Sequence, residues 1–476
     1  MLFSSLLFLY VFLPVVLLLI LLSPRRWHNG ILLVASLFFY TWGGVSYSIL
    51  LLGSILVNYL VGKGIGHAAT KAKKKRWLVL GLAVNLALLV AFKYAHFLVE
   101  NLNLLFNEKD QLTLHPIALP LGISFFTFQA ISYLVDVYAK RTPAQQNLPR
   151  LALYISLFPQ LIAGPIVRYH DIADQIRQRS LSWVLFASGI ERFILGLGKK
   201  VLLANNFAQL ADDIFAVAPE NLDPLTAWVG LIMYSLQIYF DFSGYSDMAI
   251  GLGRMFGFHI PENFNFPYIA RSIREFWRRW HISLSQWFRD YLYIPLGGNR
   301  YGPVRTYFNL LIVFFLTGLW HGASWNFVIW GLLHGFFMII ERLGFERFLA
   351  RLGWGISHVY TLLVVLLAWV FFRAPDLPHA LGYLQALFQP GPATGFHFDL
   401  AFYFGYELCM ALALALLAAT PLFRWMHQQF NARLAKAPSL LGIYDVFTSL
   451  GLMVIFLYCT MNLVTSAYNP FIYFRF

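Results

Sequence analysis

Long continuous apolar runs, separated by short polar stretches, set the pattern of this chain: 6–22, 31–42, 45–61, 77–92, 303–319, 325–340, 356–372, 400–418 and 446–464. Each approaches or reaches the roughly 17–25 residues that cross a bilayer as an α-helix. They predict an all-α polytopic membrane protein with roughly ten to twelve spans, some tilted or broken. The runs lack the alternation of barrel strands, which excludes a membrane β-barrel. No polar stretch is long enough to fold apart in water, so one integral membrane domain is expected over 1–476. No internal repeat is visible, and a repeat-built transporter therefore has no direct support.

Two regions depart from the simple pattern. Between about 120 and 170, Pro159, Gly164 and Pro165 interrupt an apolar piece too short to cross cleanly. A re-entrant segment fits there, because non-helical backbone at that depth is tolerated where protein or a water-filled cavity surrounds it. A Pro-kinked ordinary span fits nearly as well. Segment 271–290 differs again. On a helix, Trp277, Trp280, His281, Leu284 and Phe288 share one face, while Arg274, Arg278, Ser285 and Arg289 share another. That spacing predicts an interfacial amphipathic helix, ended by the turn at Pro295, Gly297 and Gly298. A membrane-surface helix without catalytic duty accounts for the arginines but not for a histidine on the apolar face.

Composition sharpens the class. Apolar residues make up 59% and charged residues only 12% of the 476, far from the balance of a water-soluble domain. The net charge of +13 invites nucleic acid as a partner, but the charge lies in short loops between spans. Its clearest run, KAKKKR at 71–76, marks the cytoplasmic side and suits anionic lipid headgroups. With Arg25 and Arg26 also inside, two crossings separate these loops and the N-terminus falls on the outer face. The opening run has no basic n-region, and its arginines follow the apolar stretch, so removal as a signal peptide is not expected. Cys409 and Cys459 both sit in apolar runs and read as small core residues.

Candidate chemistry sits in two polar islands, 274–300 and 320–335. Ionisable side chains beside hydrocarbon are costly and need a reason beyond span stability. His321 falls where two membrane helices meet in a small-residue turn, and a neutral imidazole there is a candidate general base. A satisfied structural histidine is the competing reading. His281 and His334 are possible companions, but the three lie on different predicted elements with no zinc-ligand spacing, so no metal is expected. Asp241 and Asp247 lie within an apolar helix, and a structural ion pair, with the 271–279 arginines as partners, is favoured over catalysis.

The motifs YFDFSGYSDMAIGLG, PENFNFPYIARSIREFWRRWHISLSQWFRDYLYIPLGGNR and GLWHGASWNFVIWGLLHG resemble the membrane-bound O-acyltransferase superfamily, most closely its bacterial alginate and cellulose O-acetylation branch. The likeness covers most of 1–373 and weakens beyond about 374. It implies a ring of tilted helices around a central pore that reaches the active histidine from both membrane faces. His321 matches the family's essential histidine in WHG, and His281 the second of its His pair. By the same resemblance, Gly318, Trp320, Gly322, Ala323 and Asn326 are expected along the pore. Arg274, Arg278 and Arg279, with Arg289, are candidates for donor phosphates, with lipid headgroups at least as good a partner.

The function implied is an inner-membrane O-acetyltransferase with no tightly bound cofactor, drawing on acetyl-CoA in the cytoplasm. A periplasmic or membrane-anchored SGNH/esterase-like partner and exopolysaccharide machinery would take the acetyl onward. A D-alanyl transferase of the teichoic-acid pathway, fed by a carrier protein, is the nearest alternative. A proton-coupled transporter using Asp241, Asp247 and the histidines is the alternative of another class.

Overall fold

The computed structural model describes residues 1–115, 117–389, 398–434, 441–466 and 468–472, and every regular element among them is helical. Among the described residues, six helices are long and apolar enough to cross a membrane: Val45–His67, Lys71–Asn103, Gly302–His321, Trp325–Leu352, Trp354–Arg373 and Leu441–Thr465. Tyr406–Ala418 and Leu422–Leu434, bent by 65° at their break, count as a seventh if taken as one span. This is a polytopic helical membrane protein with fewer full-length spans, on this measure, than the runs suggested. The run at 6–22 folds as the shorter helix Phe8–Leu22, the run at 31–42 lies in His28–Thr41, and the segment after Gly122 forms Ile123–Tyr138. Exposed leucine, valine and methionine cover most of Leu441–Thr465, a surface suited to hydrocarbon rather than water.

The chain divides into two compact units: Met1–Ile190 with Ala249–Pro261 and Arg289–Tyr291, and Glu191–Met248 with Glu262–Phe288 and Leu292–Phe476. In the first, Val45–His67 and Lys71–Asn103 are joined by a tight turn in which the Thr70 side chain caps the second helix by accepting from Lys73 N. The two helices are tied inside by a reciprocal amide pair: Asn85 donates to Asn58 at 2.8 Å and Asn58 to Asn85 at 3.2 Å. Such pairs hold apolar helices in register where hydrophobicity alone gives no preference. The second apolar piece of 120–170 folds as two short helices, Leu148–Ser156 and Phe158–Leu161, both largely buried. Gly122 permits the approach to this piece: its φ is +76°, and a Cβ there would strike the Leu161 carbonyl.

The second unit contains Pro224–Met255 (α1) as far as Met248, then Ile273–Arg279 (α2), Ile282–Phe288 (α3), Gly302–His321 (α4), Trp325–Ile340 (α5) and Trp354–Arg373 (α6). Helices α4 and α5 form a hairpin. A Cβ on Gly318 would meet the Phe327 carbonyl, and one on Gly331 would meet the Phe314 carbonyl and the Gly318 backbone. Two hydrogens in place of side chains thus let the helices touch backbone to backbone. Trp330 and Trp369, both fully buried, stack 5.9 Å apart and carry the aromatic core from α5 to α6. Of the two cysteines only Cys459 is a core residue. Cys409 is exposed, which corrects the expectation for it, because it falls on the outer side of Tyr406–Ala418.

Candidate active site

The segment read as one interfacial helix is two. α2 ends at Arg279, Trp280 is extended (φ −102°, ψ 130°), and His281 takes a left-handed φ of +43° before α3 begins. The pattern concealed the break because no glycine or proline marks it and both halves keep helical spacing. The aromatic face is turned into protein: Trp277, Trp280, His281, Leu284 and Phe288 are all buried. Histidine is among the non-glycine residues more often found with φ > 0, and such outliers gather at functional sites.

The break is held from the preceding loop. Asn265 N donates to Arg279 O (2.9 Å), and Ile282 N donates to Asn263 O (3.0 Å), so hydrogen bonds flank His281 on both sides. The Asn263 side chain lies at the centre of a buried polar cluster. Its Oδ1 stands 3.1 Å from His281 Nδ1 and accepts from Ser283 Oγ (2.8 Å) and Ser283 N (3.2 Å), while its Nδ2 donates to Ser246 Oγ on α1 at 3.1 Å.

His321 ends α4. Gly322 turns the chain out of the helix, and Ser324 caps α5 by accepting from Asn326 N. The buried imidazole meets Trp320 (4.9 Å between ring centroids), Trp330 (5.0 Å) and Phe372 (5.0 Å) with tilted or edge contacts, and the His281 ring is 6.4 Å away. The structure therefore brings His321 and His281 together. His334 is kept apart, because Trp330 packs against both rings, 5.1 Å from His334. His321 also borders a narrow cavity of about 10 Å³, room for about one water molecule. Ile238, Phe242, Trp280, Trp369 and Phe372 share its wall, as does Ile472.

The remaining candidates are placed as follows. Trp320 touches both histidine rings, 5.9 Å from His281. Gly318 belongs to the α4–α5 crossing, and a Cβ on Gly322 would strike the Phe327 ring, so both glycines permit close packing. Ala323 is half-buried in the turn. Asn326 donates to the Ala374 carbonyl at 3.0 Å, tying α5 to the end of α6. Arg274 and Arg278 line a cleft of about 690 Å³ with Arg342, Arg347, Glu341 and Glu346, and Arg274 pairs with Glu346 at 2.8 Å. Arg279 does not line it, bonding instead to Glu275 at 2.8 Å and to the Asn265 carbonyl.

Asp241 and Asp247 are ion-paired, but not with the 271–279 arginines. Asp247 meets Arg192 (2.6 Å) and Lys199 (2.7 Å), and Asp241 meets the buried Lys200 (2.9 Å). Sequence shows that a buried carboxylate needs a cation but not which helix supplies it. The second Asp241 oxygen accepts from Ile472 N at 2.9 Å, and Lys200 donates to the Pro470 carbonyl. A segment from the region where the motifs fade thus reaches the wall beside His321. Sequence reasoning also missed Asn263, one of several polar residues in an aromatic and proline-rich loop. In the first unit it missed a network in which the buried Asp136 receives Tyr291 OH (3.0 Å), Arg141 (3.1 Å) and His170 Nδ1 (2.8 Å).

Residues 78–372 match the sequence model of the MBOAT, membrane-bound O-acyltransferase, family. The chain is 41% identical to a probable alginate O-acetylase AlgI of Pseudomonas aeruginosa over the full length of both. It is 43% identical to a peptidoglycan O-acetyltransferase of Helicobacter pylori, over 81% of this chain and 80% of that one. A teichoic acid D-alanyltransferase of Bacillus subtilis is 30% identical over 52% of this chain and 64% of its own.

Proposed function

The chain belongs to the membrane-bound O-acyltransferase family, and from that premise we propose that it carries acetyl from cytoplasmic acetyl-CoA across the inner membrane for O-acetylation of a cell-envelope or secreted polysaccharide. The observation that carries this reading is the pairing of His321 with His281 in an aromatic pocket, 6.4 Å between rings. Full-length relatives named for alginate O-acetylation, against D-alanyl relatives matching about half the chain, favour acetyl over D-alanyl.

His321 takes the proton of the acceptor hydroxyl as its oxygen attacks the thioester carbonyl. The carbon–sulfur bond breaks, the coenzyme A thiolate leaves, and the imidazolium returns the proton to sulfur. His281 orients the hydroxyl or the thioester carbonyl, and surrounding ring faces exclude water. Arg274 and Arg278, in their cleft with Arg342 and Arg347, suit the donor's phosphates. The acceptor is a periplasmic partner of the esterase-like type, which passes acetyl to the polymer. Ion pairs on Asp241 and Asp247 fit a structural role better than a proton path.

The test is transfer from labelled acetyl-CoA in proteoliposomes holding purified protein. Label is expected on an acceptor supplied outside and is lost with His321→Ala. Transfer from D-alanyl carrier protein with none from acetyl-CoA would overturn the assignment.

A further inference from the structure

The oxygen of a buried amide and its nitrogen are hard to tell apart, but the partners of Asn263 decide the matter. A backbone N–H can only donate, and Ser283 N lies 3.2 Å from the atom that also faces His281 Nδ1. That atom must therefore be the carbonyl oxygen. Ser283 Oγ, at 2.8 Å from it, donates as well. An amide oxygen accepts and never donates, so His281 must carry its proton on Nδ1. Its Nε2 is left with a lone pair. The same loop holds the left-handed backbone of His281 through Ile282 N and the Asn263 carbonyl, so one residue fixes both the ring's tautomer and its anchorage.

We propose that Asn263 is a positioning residue for the transfer reaction, which locks His281 as the Nδ1–H tautomer and makes Nε2 the accepting atom of that ring. Rings packed on His281 include Phe242 at 4.6 Å, Trp320 at 5.9 Å and the titratable His321 at 6.4 Å. A ring locked in this form cannot donate a hydrogen bond to the thioester carbonyl. It can accept one from the acceptor hydroxyl, holding that hydroxyl beside His321, whose ring lies 6.4 Å away. Of the two orienting roles of His281, holding the hydroxyl therefore remains and polarising the carbonyl is removed.

The experiment has two arms on the full chain. In the first, protein labelled with ¹⁵N in its histidine rings is compared with His281→Gln to identify the His281 nitrogens. Wild type should show a protonated Nδ1 and a bare Nε2, and Asn263→Ala should lose that preference. A bare Nδ1 in wild type overturns the proposal, and this arm needs no acetyl transfer. The second arm rests on the acetyl-transfer reading and fails separately, since inactive wild type would sink that reading alone. Asn263→Ala should lower kcat about 10–100-fold, as loss of a residue that orients another typically does, with the KM for acetyl-CoA unchanged. Asn263→Asp keeps the acceptor, and Ser246 can turn its hydroxyl to donate to it, so the fold and most turnover should return. Its added negative charge favours the imidazolium, so the acid limb of the pH–rate profile should move to higher pH. An unmoved profile in Asn263→Asp, or wild-type turnover in Asn263→Ala, would refute the role.

Discussion

At the scale of single residues, the two histidines should respond differently to the same replacement. His321→Ala and His321→Asn should both reduce kcat by about 10²–10⁴-fold, because neither side chain can take up the proton. Wild-type turnover in either purified variant would remove His321 from the proton-transfer step. At position 281 the backbone adds a second demand. Asparagine tolerates φ near +43° and keeps a hydrogen-bonding group, so His281→Asn should recover part of the activity that His281→Ala loses. Valine, strained in that conformation, should lower both turnover and melting temperature. Equal loss in the asparagine and alanine variants, with turnover retained by His321→Ala, would require exchanging the two roles.

At the scale of elements, the buried pair Asp241–Lys200 joins α1 to the segment Tyr468–Ile472. Asp241→Leu alone leaves a buried ammonium uncompensated, at a cost of about 3–5 kcal/mol. Adding Lys200→Met should restore much of the melting temperature in detergent, and failure of the double variant to improve on the single one would show that the pair is not the source of the loss. This joint was not legible in the sequence, since residues more than 200 positions apart carry no periodic trace of each other. The spans from Val45, Gly302, Trp325, Trp354 and Leu441 were legible, because an apolar run of bilayer length has few other ways to satisfy its backbone. His321 was legible as a polar residue at the meeting of two such runs. The break at His281 was not, because loop hydrogen bonds hold it and no breaking residue announces it. Asn263 stood inside a motif that carried the resemblance, but nothing in that motif marks it as the partner of His281.

At the scale of the whole molecule, donor and acceptor are proposed to reach one histidine from opposite sides of the membrane. Arg278→Ala should then raise the KM for acetyl-CoA more than it lowers kcat, since a phosphate contact remote from the reacting carbon binds ground and transition states alike. Cysteine placed at 278 should react with membrane-impermeant reagents from the cytoplasmic side. Labelling from the periplasm alone would reverse both the topology and the donor route.

The glycine crossing of α4 and α5 adds a constraint on motion. Helices in contact along their backbones at Gly318 and Gly331 cannot be pried apart cheaply, because they have no side chains there to rearrange. His321, at the tip of one of them, therefore moves only with the pair. The space beside it holds about one water molecule, so in the proposed reaction the movement that admits a thioester would fall to the other walls: the Trp280 ring at the helix break, Phe372 near the end of α6 and the strap bearing Ile472.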